Sequence, residues 1–335
     1  MSNRDPYFDI VKAVAIIMVV FCHVMVIAPQ GTFPQWINNF RVGMNMPIFF
    51  IISGYFAWPM VEALDYRKLL KNIRCYLQPA IFAGVLFTVF DCILDSLSFS
   101  AFVLKLIRSV FVDPWFITTL IECQLLMFIA WVLVRKVRWM VLIVAIVLCA
   151  IMCRPTTISG EKHFASIVSM MPHYLFGAIV LREFDIRIWE NRIIGMMCCL
   201  AFITFVFLEG NVDINGMSFY TADSSVHAFC SLKSGICFFL RPLVGLIGSI
   251  GVMSLIRIAF DYIPMLKKIS KIGTLTLGIY IFHLWPLRQL RKVAWVGSSR
   301  LNVILTAIVL MFVFSFVTWV LMEKTGRLRK WIWGK

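Results

Sequence analysis

Charge is scarce in this chain. Of its 335 residues only 15% are Asp, Glu, Lys or Arg, while 61% are hydrophobic. An ordinary soluble domain is about 25% charged and about 45–50% apolar. So small a polar complement cannot cover a soluble surface, and the class it points to is a polytopic membrane protein. Metal-ligand spacing is missing too. There are ten cysteines but no C-x-x-C pair, so neither a zinc ribbon nor a dithiol redox site is indicated. Cys149 and Cys153 share a helix face, yet two ligands do not make a zinc site; no metal and no bound cofactor are expected. Internal repeats, low-complexity tracts and stretches polar enough for a soluble domain are also lacking. One transmembrane domain over residues 1–335 is the expectation. The first apolar run is too long, carries charges and lacks a small-x-small exit, so it reads as a retained helix, not a cleaved signal.

What is abundant is apolar length. Runs near the twenty residues needed to cross about 30 Å of hydrocarbon recur at about 8–28, 41–61, 75–96, 115–134, 138–154, 164–182, 192–209, 235–256, 273–291 and 301–322. The expected fold is all-α, with about ten transmembrane helices. The net charge of +15 sits in short loops between those runs and is not a nucleic-acid signal. With the N-terminus inside, 20 of the Lys and Arg residues fall in inside segments and 10 in outside ones. That bias places both termini in the cytoplasm. The exception is the loop after the ninth span, where Arg288, Arg291, Lys292 and Arg300 lie outside. Residues 99–112 (FSAFVLKLIRSVFV) have helical apolar spacing broken by Lys105 and Arg108, the pattern of an interfacial helix. The longest outside loop, about 210–234, is polar and slightly acidic, suited to a lid or a substrate mouth.

The first apolar helix, DIVKAVAIIMVVFCHVMV from Asp9 to Val26, carries three ionisable groups: Asp9, Lys12 and His23. A charge near the bilayer centre costs about 2.5–3.5 kcal/mol on insertion scales, so such groups usually serve a function. Lys12 and His23 are eleven residues apart. At about 100° per residue they share a face, about 16 Å apart along the axis. Asp9 lies one turn before Lys12 and can pair with it. The stripe reads as one wall of a site that crosses much of the membrane. Histidine titrates near ambient pH and is the usual general base; the alternative for His23 is a hydrogen-bonded packing residue. Cys22 adjoins His23 but points about 100° away, which argues against a nucleophile there.

Other candidates are dispersed. The second span holds Asn45, Pro47, Ser53 and Gly54 among Phe and Ile, either a kinked packing helix or a substrate contact. Lys71 and Arg74 share a face ahead of the third span and suit lipid headgroups or a phosphorylated cosubstrate. Asp113-Pro-Trp115-Phe opens the fourth span, which contains Glu122. Glu122 could pair with Arg241, or orient His23 as a triad acid orients its base; the residues alone leave both open. Tyr280 and His283 lie in the ninth span, GTLTLGIYIFHLWP. There His283 is a second catalytic or binding group or, more simply, a hydrogen-bonded core histidine.

Taken together these motifs resemble the acyltransferase-3 family of integral membrane acyltransferases, nearest its fucose 4-O-acetylase-like branch. The resemblance rests on Lys12 and His23 in FDIVKAVAIIMVVFCHV and on MNMPIFFIISGYF from Met44 to Phe56. Weaker matches are Lys71, Arg74 and Pro79, then Trp115-Phe116, and LGIYIFHLWP from Leu277 to Pro286. It is spread over about residues 8–320. It implies transfer of an acyl group, usually acetyl, from cytoplasmic acyl-CoA to a sugar hydroxyl of a surface or exported glycan, in a bacterial cytoplasmic membrane. Lys12 and His23 carry over as the family's basic residue and histidine. Where some relatives place paired glutamates and a tyrosine, this chain has LIECQLLMF, with Glu122 alone. The partners implied are acyl-CoA, a glycan or lipid-linked saccharide and membrane lipids. The rival class is a multi-pass transporter or flippase of a lipid-linked sugar, but no paired repeats or matching broken helices support it.

Overall fold

The computed structural model describes residues 5–29, 32–95, 98–134, 140, 170–208, 232–324, 326 and 328–333, and the regular structure among them is helical. In chain order the α-helices are α1 (Pro6–Met25), α2 (Gln35–Glu62), α3 (Tyr66–Asp95), α4 (Phe99–Ile107), α5 (Trp115–Leu133), α6 (Arg192–Leu208), α7 (Leu232–Tyr262), α8 (Leu266–Thr274), α9 (Thr276–Leu290), α10 (Ala294–Gly297), α11 (Arg300–Glu323) and α12 (Leu328–Trp333). Two π-helical stretches, Arg108–Val112 and Phe176–Glu183, interrupt the regular pattern.

Among the described residues six stretches are long and apolar enough to cross a membrane: Pro6–Met25, Met44–Glu62, Tyr66–Leu94, Trp115–Leu133, Pro242–Tyr262 and Arg300–Glu323. The apolar part of α6, Arg192–Phe207, and the 15-residue α9 are shorter than the roughly twenty residues a straight span needs. The expected span over 138–154, apart from Met140, lies outside the described residues. So do the start of the expected span over 164–182 and most of the polar loop over 210–234. The outward faces match a lipid surrounding. Phe312 and Phe316 of α11 and Leu200 and Phe207 of α6 stand exposed, an arrangement that favours lipid over water.

Helix α1 is the central element. Asp5 caps its start by accepting from the Tyr7 N–H at 2.9 Å, and Pro6 takes the first turn, where its missing N–H costs nothing. Ile10, Val11, Ile16, Val20 and Val24 are fully buried. The helix packs against α2, α7, α8, α9 and α11.

Small residues set the closest approaches. A Cβ on Gly54 of α2 would stand 2.0 Å from the Tyr174 carbonyl oxygen, and one on Gly177 would stand 1.9 Å from that of Ile51. The two backbones therefore touch, as helices in lipid can when side chains are absent at the crossing. Gly273 of α8 lies against the backbone of Asp9, and Gly278 of α9 lies against Thr318 and Trp333. The first helix thus begins and the last ends at the same end of the bundle.

At the opposite end α4 forms over part of the stretch expected to be amphipathic. Ser98 caps it by accepting from the Ala101 N–H at 3.4 Å. Lys105 reaches the buried Asp91 of α3 at 2.9 Å, and Asp91 also accepts from Trp285 Nε1 of α9 at 2.8 Å. Asp113 is bracketed by Arg108 at 3.6 Å and Arg288 at 2.8 Å. These pairs give two of the cations expected outside the ninth span and α4, Arg288 and Lys105, a carboxylate each.

Candidate active site

The stripe on α1 has two distinct ends. At the first, Lys12 Nζ stands 2.7 Å from Asp9 Oδ1, with side-chain exposures of 21% and 6%. Opposite charges one helical turn apart attract each other, the more strongly for being largely out of water. Removing one partner of a buried pair strands the other charge, at about 3–5 kcal/mol when burial is complete. Lys12 is partly exposed, so the expected loss for Lys12→Met is smaller, about 2 kcal/mol. A lower melting temperature in detergent would register it, and the double variant Asp9→Asn, Lys12→Met should recover part of the loss. Strictly additive losses in that cycle would show the pair to be energetically uncoupled.

The second end of the stripe holds His23, one turn after Val19. Its Nδ1 lies 2.8 Å from the Val19 carbonyl oxygen. A carbonyl only accepts, so Nδ1 carries the proton and Nε2 is the basic nitrogen of the neutral ring. His23 is exposed, and its ring meets His283 of α9 edge to face, with centroids 4.9 Å apart. His283 is fully buried, with its own Nδ1 against the Tyr280 carbonyl. Tyr280 packs on His283 at 5.4 Å and on Phe116 at 5.0 Å, and its hydroxyl accepts from the Phe116 N–H at 3.3 Å. The start of α5, with Trp115 half-buried beside Phe116, is thereby tied to α9. From α2, Asn45 donates through Nδ2 to Cys22 Sγ at 3.2 Å and anchors the residue next to His23.

The remaining candidates occupy other places. Glu122 is half-buried on α5, six residues after Phe116. Trp131 near the end of that helix donates to the Glu62 carbonyl at 3.2 Å. Phe8 of α1 packs on Tyr55 of α2, 5.2 Å away. Helix α5 therefore runs from the Tyr280 level toward the Asp9 end, and Glu122 stands about 9 Å down that path. His283 lies past Tyr280 in the other direction. Ser53 is half-buried beside Gly54. Arg241 falls on α7, but its side chain lies outside the described residues.

Lys71 has a defined setting. With Asn72, Cys75 and Tyr76 of α3 it lines a pocket of about 590 Å³, closed by Thr274, Leu277, Gly278, Met322 and Trp333. Thr274 follows the glycine that touches Asp9, so the pocket belongs to the Asp9–Lys12 end of the bundle. Arg74 stands exposed one turn further along α3. Gly278 precedes His283 by five residues, about 7.5 Å along α9. Cys75, Tyr76, Thr274, Met322 and Trp333 carry no local signature. They come from four helices far apart in the chain, and only the small residue in LGIY hints at a close approach.

The arrangement pairs a cation-rimmed pocket at one end of α1 with two histidines at the other. Among the described residues no group of three His, Cys, Asp or Glu could hold a metal ion. An imidazole can take up and release a proton near ambient pH. The family model for an acyltransferase domain matches residues 5–323, nearly the whole chain. It singles out no branch of that family. Neither a curated protein nor a solved structure matches the chain.

Proposed function

The chain belongs to the acyltransferase-3 family of membrane acyltransferases, and from that premise we propose that it moves an acetyl group from cytoplasmic acetyl-CoA to a sugar hydroxyl of a surface or exported glycan, with His23 as general base. The observation that carries the proposal is the placement of His23 against His283, on an α1 stripe whose other end adjoins the Lys71 pocket. Acyl transfer to a hydroxyl needs a base to take its proton, and donors where the oxyanion develops. His23 Nε2 takes the acceptor proton as the hydroxyl oxygen attacks the thioester carbonyl. The tetrahedral intermediate collapses and expels the CoA thiolate, which is protonated by the imidazolium. An ester and free CoA result, and His23 returns to its neutral form. The His283 ring, edge to face with His23 at 4.9 Å, restricts how that imidazole can turn.

The charged end of the donor fits the pocket chemistry. Lys71 and Arg74 are cations suited to the phosphates of CoA, and the long pantetheine arm would run along the α1–α9 wall toward the histidines. Each end of the bundle then has its own role, with the donor entering from the cytoplasm and the acceptor from the other face of a bacterial cytoplasmic membrane. Asp9 fixes Lys12 beside the donor end, and Asn45, Ser53, Trp115, Glu122, Arg241 and Tyr280 are candidates for shaping the path between.

Transfer of label from radiolabelled acetyl-CoA to lipid-linked or surface glycan, in membranes with and without this chain, tests the proposal. Label that depends on the chain is the expected result. Label from succinyl-CoA alone would change the acyl group and keep the class. Chain-independent label from either donor would overturn the reading.

A further inference from the structure

The Lys71 pocket has a wall that lies outside the residues matched to the family. The match ends at residue 323, yet α12 (Leu328–Trp333) folds back and places Trp333 in the pocket lining. The side chain is held there. Trp333 is only 3% exposed, and Ile332 beside it is equally buried. The indole Nε1–H donates to the Leu321 carbonyl at 3.3 Å, fixing the ring against the end of α11. Its outer edge rests on Gly278: a Cβ at that position would stand 2.7 Å from the ring carbon Cη2. The absence of a side chain at residue 278 is what lets this ring reach the pocket, five residues short of His283 on the same helix.

The lining is graded. Lys71, Asn72 and Thr274 supply charge and hydrogen-bonding capacity, while Cys75, Tyr76, Leu277, Met322 and Trp333 are apolar or aromatic. A volume of about 590 Å³ lies within the range of about 300–1,000 Å³ typical of small-molecule sites. That gradient suits a ligand with an anionic phosphate at one end and a slender uncharged arm at the other.

We propose that α12 completes the donor site, with Trp333 packing on the arm of the CoA donor and holding it in line with α9. This rests on the acyl-CoA reading given above. Trp333 is a binding and positioning residue here, with no part in the proton transfer. An alternative role, a mere anchor for the end of the chain, would leave donor affinity unchanged when the ring is altered.

Cys75 provides the reporter, because it lines the same pocket and is not tied up in a disulfide. Its alkylation by N-ethylmaleimide, followed peptide by peptide by mass spectrometry in the detergent-solubilised full chain, should be slowed by CoA supplied throughout as desulfo-CoA, since the thiol of CoA would itself consume the maleimide. From the CoA dependence of that protection, Trp333→Ala is expected to weaken CoA about tenfold, equivalent to about 1.4 kcal/mol. Trp333→Phe should stay within about threefold. Trp333→Leu fills more of the space and replaces the alanine variant if that one does not fold. Protection at the same CoA concentration in Trp333→Ala or Trp333→Leu as in the native chain would overturn the role of α12 and leave the donor reading standing. No protection by CoA in the native chain would overturn the donor reading, and this inference with it.

Discussion

Replacing His23 with alanine is expected to abolish acyl transfer while leaving folded protein in the membrane. General-base catalysis contributes about 10²–10⁴-fold, so label transfer from acetyl-CoA should fall by at least about a hundredfold. The fold should survive for physical reasons. His23 is exposed, and its Nδ1 bonds within its own helix, to Val19 at 2.8 Å. Removal leaves no cavity of the kind that makes core truncations costly, and alanine is the best helix former. His283 is badly placed to substitute, being fully buried with its Nδ1 held by the Tyr280 carbonyl. CoA should still protect Cys75 in the variant, because the pocket lies at the other end of α1. Loss of transfer with donor binding intact would assign His23 to the chemical step. Undiminished transfer would remove it from the mechanism.

Enlarging Gly54 or Gly177 is expected to have the largest effect on folding. The groups a new side chain would meet are backbone carbonyls, the Tyr174 oxygen at 2.0 Å for Gly54 and the Ile51 oxygen at 1.9 Å for Gly177. No rotamer change clears a backbone atom, so α2 and the π-helix Phe176–Glu183 must separate. Separation would also open the contacts of Ile51, Tyr174 and Ala178, all fully or nearly fully buried. In lipid there is no hydrophobic drive to hold the helices together once close packing is lost. Gly54→Val and Gly177→Val should each cost at least about 4 kcal/mol, in the range diagnostic of overpacking at a fixed backbone. A collapsed yield of monodisperse protein in mild detergent would register it. A Gly54→Val chain that elutes and melts like the native one would show that this crossing can relax, and the close approach would lose its structural role.

The two experiments separate chemistry from architecture, and they also mark where the sequence was informative. Composition determined the membrane class, because so few charges cannot cover a soluble surface. Helical periodicity determined the α1 stripe, because Asp9, Lys12 and His23 lie on one helix and their mutual geometry is local. The same logic made α4 legible from Lys105 and Arg108 in an apolar run. The chain's likeness to its family was visible for a related reason: its motifs are short and each sits within one helix.

The partners of those residues came from the tertiary structure alone. His283 read as a core histidine in sequence, and it is buried, yet its ring lies on His23, 260 residues away in the chain. The Lys71 pocket draws on helices from α3 to α12, and the two carboxylates that receive Lys105 and Arg288 come from other elements. An apolar helix turns almost any face to lipid or to a neighbour at similar cost, so its sequence does not specify which face meets which partner. Small side chains at crossings, Gly54 with Gly177 and Gly278 with Trp333, decide how closely the helices approach. Sequence by itself determined the kind of protein and the ionisable stripe along one helix; packing between helices decided what faces that stripe, because a contact between distant segments is a property of the assembled bundle and of no single helix.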